Sequence, residues 1–116
     1  MAVYDLEERA FQFALKVRAF TKKVSRTIEN IEDIKQLIRA SASVGANYIE
    51  ANESLGDKDK IMRMKISRKE AKESRFFLRL IDVNGNESLE KERCELAQEA
   101  MELMNILGSI IRKLSI

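Results

Sequence analysis

Lysine and arginine side chains recur on one side of the stretch from Asp57 to Asp82. At 100° per residue, a helix over this stretch places them opposite an apolar face. The six that follow one another most closely are called here the cation ladder: Lys65, Arg68, Lys69, Lys72, Arg75 and Arg79. At ~1.5 Å per residue the ladder spans roughly 20 Å of helix axis, which is enough to neutralise several phosphates of a nucleic acid.

The cation ladder is not accompanied by a signal for base reading. Phe76 is the only aromatic residue that alternates with the cations, which gives weak support to base stacking. Helix-turn-helix, zinc-finger and RNA-recognition-motif signatures are absent. If nucleic acid binds here, we therefore expect contacts to its backbone that do not depend on base sequence.

A second interpretation assigns these charges to helix pairing. The formal net charge is only +2, but residues 1–26 and 57–83 are net basic, whereas residues 27–56 and 84–116 are net acidic. Alternating signs suit antiparallel helices that attract one another, so the ladder is then a paired or solvated surface. Composition leaves both interpretations open.

The residue types that most catalytic and metal sites need are scarce. The chain has no histidine and one cysteine, Cys94, which excludes Ser-His and Cys-His nucleophile pairs, di-iron Glu-x-x-His pairs and zinc sites. Phosphate-binding glycine motifs are absent too, and 19 acidic residues on helices form carboxylate pairs by chance. We expect no enzymatic activity, no metal and no cofactor, and a half-buried, inert Cys94 thiol.

The cellular compartment is suggested by cysteine usage. A single cysteine permits no intrachain disulfide, which fits a reducing environment. The first residues lack a signal-peptide pattern, and no apolar run approaches the ~20 residues that span a bilayer. We expect a cytoplasmic protein that does not engage a membrane.

Two charged residues, Arg63 and Glu70, project toward the apolar side of the same stretch. Buried charges are costly unless they are paired, so a structural ion pair is the favoured interpretation, within the chain or across a subunit contact. The alternative is a polar pocket shared with Asn47 and Glu50, which would hold a small molecule or catalyse a reaction.

Long helices must position all of these residues. The chain has no proline and four glycines, which removes the usual turn chemistry of β proteins. Helical periodicity and turn signals predict helices at about 5–25, 31–55, 58–83 and 87–115. Asp5 is expected to cap the first helix, Gly56 to end the second, and Asn84-Gly85-Asn86 to separate the last two. Short connections then predict a single all-α domain, an antiparallel up-down-up-down four-helix bundle.

Apolar stripes indicate which helix faces are buried. The second helix is expected to turn Leu37, Val44 and Leu55 inward, and its Gly45 implies a close packing contact, because glycine costs about 1 kcal/mol within a helix. Three apolar residues lie off the core stripes, namely Phe11, Leu15 and Ile106. If they share a patch, they predict a contact between subunits.

Two blocks of residues resemble a known family. The segment from Arg39 through Ser43, Asn47 and Glu50 to Ala51 is similar to the signature R-x-x-x-S-[IV]-x-A-N-x-x-E-[AG]. This signature occurs in four-helix bundle proteins encoded in intervening sequences of bacterial 23S ribosomal RNA genes. Lys69-Glu70-Ala71 and the residues up to Leu78 resemble the family's second block, K-E-A-x-E-[ST]-x-[YF]-W-L, with Phe77 at the usual tryptophan. The resemblance runs from Phe11 to Leu114.

The resemblance implies an up-and-down bundle that assembles with itself, as a pentamer in known members, in a bacterial protein. It also implies kinship with accessory proteins of diversity-generating retroelements, which bind nucleic acid. Arg39, Asn47, Glu50 and Glu70 match the polar positions of the signature, and the resemblance gives them no role. The hypothesis to be tested is a homo-oligomeric bundle that binds RNA or DNA through the basic faces of helices 1 and 3. Its rival is a structural or protein-interaction module without nucleic-acid binding.

Overall fold

The protein folds into four long helices. The computed structural model describes residues 3–115, with side chains from residue 5 onward. The helices are α1 (Val3–Thr21), α2 (Ile28–Asn52), α3 (Asp57–Leu80) and α4 (Glu87–Leu114), and the described residues contain no strand. The predicted all-α, antiparallel four-helix bundle is confirmed.

The helix ends differ from the predicted bounds by up to four residues. α1 begins at Val3, so Asp5 lies in its first turn. α2 begins at Ile28 because the hydroxyl of Thr27 accepts the N–H of Asn30 at 3.1 Å, and α2 ends at Asn52 rather than at residue 55. Leu55 therefore lies beyond the helix and is fully exposed, so its predicted inward position is wrong. Gly56 is the residue that precedes α3, not the end of α2.

Each helix has two neighbours in the bundle. α2 packs against α1 and α3, and α4 packs against the same two helices on the other side. α1 and α3 are diagonal to each other, with no pair of Cα atoms within 8 Å among the described residues. The core between the four helices is filled by large apolar side chains that are almost completely buried, including Phe13, Phe20, Leu37, Leu78 and Leu103.

Ion pairs join α1 to α4. The Arg9 guanidinium donates to both carboxylate oxygens of Glu99 at 2.7 Å and to Glu102 at 2.8 Å. Farther along, Lys23 donates to Glu92 at 2.7 Å. The predicted attraction between basic and acidic segments is therefore realised between the first and last helices.

A buried asparagine fastens two connections together. Asn30 is 1% exposed, and its amide nitrogen donates to the carbonyl oxygens of Ser25 at 3.0 Å and Asp82 at 2.9 Å. Its amide oxygen accepts the backbone N–H of Asp82 at 3.0 Å. The chain leaving α1 and the chain leaving α3 are thus held at the same end of the bundle by one side chain.

Replacing this asparagine is expected to weaken the fold. Asn30→Ala removes three hydrogen bonds and leaves backbone groups of Ser25 and Asp82 without a partner, so the free energy of unfolding should fall by about 2 kcal/mol. Urea denaturation measures the change. The control is Asn105→Ala, which truncates an exposed asparagine of α4 and should change stability by less than about 0.5 kcal/mol. Equal effects of the two substitutions would show that packing alone holds the connections.

Candidate nucleic-acid interface

The cation ladder lies along the solvent side of α3. Lys65, Lys69, Lys72 and Arg79 are exposed, and Arg68 and Arg75 are half-buried. Among the described residues, none of these six side chains forms an ion pair or donates a hydrogen bond. The ladder is therefore a surface whose positive charge has no compensating partner within the described chain.

The acidic residues of the neighbouring helices explain this imbalance. Glu92, Glu99 and Glu102 of α4 are paired with α1. Glu70 and Glu73, the two carboxylates in the part of α3 that carries the ladder, face α2 and pair with Arg39. Carboxylates near the ladder are thus directed elsewhere, and the edge of α3 toward α4 keeps its cations.

The basic residues of α1 and of the connection that follows it do not extend the ladder. Lys23 is paired with Glu92, and the Arg26 guanidinium donates to the carbonyl oxygens of Thr21 at 2.9 Å and Val24 at 3.3 Å. The other cations of α1 lie away from α3, because Lys16 lines a cleft against α4 and Arg18 lines a groove against α2. Of the two basic faces that the sequence predicted to bind nucleic acid, those of helices 1 and 3, the face of α3 has the longer row of unpaired cations among the described residues and is the candidate interface.

The polar residues of the signature lie between α2 and α3, along a line that we call the polar seam. Arg39 contacts Glu70 and Glu73, each at 3.4 Å. Arg63 donates to the amide oxygen of Asn47 at 3.4 Å. The structure therefore makes two separate pairs, Arg39 with Glu70 and Arg63 with Asn47.

Glu50 joins neither of these pairs. It is exposed, and its carboxylate contacts no other polar side chain of the described chain. The pocket of Asn47, Glu50, Arg63 and Glu70 that the sequence allowed is thus not assembled within one chain. Glu73 is an additional member of the polar seam, which sequence reasoning missed. Its position three residues after Glu70, on the same side of the helix, was the available signal.

Glu70 has an unusual environment for a carboxylate. It is 6% exposed, and its Oε1 atom has no hydrogen-bond partner. Burial raises the pKa of Glu70, and the nearby Glu73 carboxylate raises it further, whereas Arg39 opposes the shift. The pair with Arg39 therefore stabilises the charged form only in part.

The raised pKa of Glu70 predicts a pH dependence of stability. A carboxyl group whose pKa is higher in the folded state stabilises the fold below its ordinary pKa of 4.5, and this contribution is lost as pH rises through the folded pKa. Glu70→Gln cannot ionise. The melting temperature of this variant minus that of the wild type should therefore increase as pH rises from 4.5 toward 7. Glu50→Gln makes the same change of net charge at an exposed site of α2. If the change in melting temperature were the same for Glu70→Gln and Glu50→Gln at every pH, the raised pKa of Glu70 would be contradicted.

An apolar groove runs along the outside of α1 and α2. This α1/α2 groove has a volume of about 410 Å³, and Phe11, Leu15 and Ile49, exposed by 55%, 44% and 45%, line it. Its floor includes Gly45, where an added Cβ would lie 3.3 Å from the Cβ of Ala10. The predicted packing role of Gly45 is confirmed, because a larger residue there would meet α1.

Ile106 does not belong to the α1/α2 groove. It is half-buried, packs against the core, and lines a separate cleft with Leu6 and Tyr48. Phe11 and Leu15 thus share a patch, as expected, but Ile106 does not complete it. Cys94, expected to be half-buried, is exposed, because it lies beside the α4 stripe, in an open groove between α3 and α4.

In the described part of the chain, no group of three or more histidine, cysteine, aspartate or glutamate side chains is placed to hold a metal ion. None of the described helices combines the length and the apolar character needed to cross a membrane.

Comparison with known proteins identifies the family. The model of the 23S rRNA-intervening sequence protein family matches residues 4–109. The chain belongs to this family. A crystal structure from Bacteroides thetaiotaomicron, of a protein with unknown function from the S23 ribosomal protein family, has a TM-score of 0.80 and 25% sequence identity. The similarity covers 97% of this chain and 99% of that one. No curated protein matches the chain significantly.

Proposed function

We propose that this member of the 23S rRNA-intervening sequence protein family is a non-enzymatic bundle that binds the backbone of nucleic acid through the cation ladder of α3. The observation that carries the proposal is a row of six lysines and arginines without an acidic partner in the described chain. A row of cations about 20 Å long can displace counterions from several phosphates, and that release favours binding. Reading of base edges is not part of the proposal, since no helix-turn-helix or comparable motif accompanies the ladder.

We also propose a cellular compartment and an oligomeric state for the protein. We place the protein in the cytoplasm, where one exposed cysteine is compatible with a reducing environment. We also propose that it is a homo-oligomer, a pentamer by resemblance to its family, so that several ladders act on one nucleic acid. Repeated basic surfaces bind a long polyanion more tightly than one surface does, because later contacts are intramolecular.

Neutralising the lysines of the ladder tests nucleic-acid binding. The triple variant Lys65→Gln, Lys69→Gln and Lys72→Gln should bind RNA and duplex DNA at least about tenfold more weakly near 0.1 M salt. The slope of log affinity against log salt should fall by about 2 to 3, since each lysine lost from a phosphate removes roughly one counterion. Fluorescence anisotropy over a salt series measures both quantities.

A matched variant separates the ladder from the net charge. Lys16→Gln, Lys22→Gln and Lys35→Gln remove three exposed lysines from the region of α1 and α2 and make the same change of charge. This control should keep the wild-type affinity within about twofold. If both triple variants lost affinity equally, only the total charge would matter, and binding through α3 would be wrong.

A second candidate function, a structural or protein-interaction module, is favoured by the α1/α2 groove. Phe11, Leu15 and Ile49 expose apolar surface side by side, and the charged residues Glu7 and Arg18 also line the groove. Apolar surface with polar residues around it is typical of protein contacts. We propose that a second copy of the chain packs against this groove in the oligomer.

Acidic substitution in the groove tests this contact. Phe11→Glu with Leu15→Glu should reduce the mass measured by light scattering toward the 13.4 kDa of one chain, because two carboxylates cannot be buried in an apolar interface without partners. The control is Leu55→Glu with Met62→Glu, which makes the same chemical change at two other exposed apolar residues. An unchanged oligomer in the groove variant would exclude the α1/α2 groove from assembly.

A further inference from the structure

A second groove lies between α3 and α4, and the ladder forms one of its walls. This α3/α4 groove has a volume of about 460 Å³. Arg75 and Arg79 line it from α3, and the wall from α4 includes Ala97, Gln98 and Met101. The ladder therefore has two edges. Arg75 and Arg79 border the groove, whereas Lys65, Lys69 and Lys72 do not line it and are exposed to solvent.

The charge within the α3/α4 groove has one sign. No carboxylate is among the described residues that line it. The guanidinium groups of Arg75 and Arg79 have no hydrogen bond or ion pair to the described chain, so their donors are free for a ligand. Two arginines four residues apart on one helix lie about 6 Å apart at their Cβ atoms, which allows them to act on one strand of phosphates.

The third arginine of the groove, Arg93, differs from the other two because its guanidinium donates hydrogen bonds within the chain. Its Nε and Nη2 atoms donate to the carboxylate of Glu90 at 2.6 and 2.7 Å. Its Nη1 atom donates to the carbonyl oxygens of Leu78 at 3.1 Å and Arg79 at 3.3 Å. Arg93 therefore neutralises the nearest carboxylate and fixes the end of α3 against α4, which leaves Arg75 and Arg79 as the free cations.

Further arginines lie along the line between α3 and α4, beyond the α3/α4 groove itself. A Cβ added to Gly108 of α4 would lie 3.8 Å from the Cδ atom of Arg68 and 3.4 Å from Nη1 of Arg112. Arg68 and Arg112 thus lie over the same glycine, one from each helix. From Arg68 to Arg79 this line of arginines between α3 and α4 extends about 16 Å along α3, at ~1.5 Å per residue.

We propose that the α3/α4 groove is the seat of a single-stranded nucleic acid, whose phosphates contact Arg75 and Arg79. This inference rests on the proposed function and specifies its ligand. A positively charged groove that follows the backbone is typical of proteins that bind single strands. We expect a duplex to contact the exposed lysines rather than to lie within the groove.

The guanidinium fork explains why arginines border the groove. Arginine binds phosphate through two parallel N–H bonds, whereas lysine acts as a point charge. A seated strand therefore depends on the arginine geometry, and the general attraction of polyanions depends on the total charge of the ladder. The two contributions can be separated by substitutions that keep the charge.

The first experiment replaces the guanidinium fork of two arginines with the ammonium group of lysine and so keeps the charge. Arg75→Lys with Arg79→Lys should weaken binding of a 15-nucleotide single strand about tenfold at an unchanged salt slope, and should leave binding of the matching duplex within about twofold. The control is Lys16→Arg with Lys22→Arg, a charge-keeping exchange at two exposed lysines outside the ladder, which should not weaken either. Equal loss on single strand and duplex, or no loss on either, would overturn the seat in the groove.

The second experiment places a carboxylate in the groove. Gln98 is exposed and donates to Glu102 four residues away at 3.2 Å, and Gln12 donates in the same way to Glu8 at 3.3 Å. Gln98→Glu should weaken single-strand binding about fivefold, because a like charge some 4 Å from a phosphate costs about 1 kcal/mol in water. Gln12→Glu makes the same change on α1 and should have no effect. Equal behaviour of the two variants would contradict the inference.

A third measurement needs no substitution. Cys94 is exposed, lines the groove and is the only cysteine of the chain, so its alkylation by iodoacetamide reports occupancy. Saturating single strand should slow alkylation at least fivefold, and duplex should not. If the wild type bound single strand but left Cys94 equally reactive, nucleic-acid binding would stand and the seat would be wrong. If it bound neither probe, both proposals would fail.

Discussion

The pairing of α4 with α1 is the constraint from which the surface chemistry of this protein follows. Arg9 of α1 binds the carboxylates of Glu99 and Glu102, and Lys23, just after α1, binds that of Glu92. Each helix of a four-helix bundle has only two neighbours, and these acids are oriented toward α1. The cations of α3 therefore receive no counter-charge from α4, although the segment of α4 is net acidic.

The contact between α2 and α3 has the opposite character. Here Glu70 and Glu73 face Arg39, and Glu70 is buried with one oxygen that lacks a partner. A buried carboxylate is stabilised only in part by one arginine at 3.4 Å, so the seam is a costly element of the fold. Two of the four signature residues form this pair, and Asn47 binds Arg63 nearby. The polar seam thus belongs to helix pairing, and the ladder lies on the other side of α3.

Together the three surfaces of the bundle divide its roles. The α1/α2 groove is apolar, the polar seam pairs opposite charges between α2 and α3, and the α3/α4 groove is basic. A protein with this division can associate with itself through one side and bind a polyanion on another without competition.

The sequence alone determined the four helices, their antiparallel order and the core stripes, because helical periodicity and capping are local properties of the chain. It also marked the ladder, the signature residues and Gly45. Local patterns could not decide the direction of each polar side chain relative to the neighbouring helices. The pairing of Arg39 with Glu70, the isolation of Glu50, the separation of Ile106 from Phe11 and the exposure of Cys94 depend on that direction. Tertiary packing fixes it, because the rotation of each helix about its axis is set by the summed contacts with two neighbours.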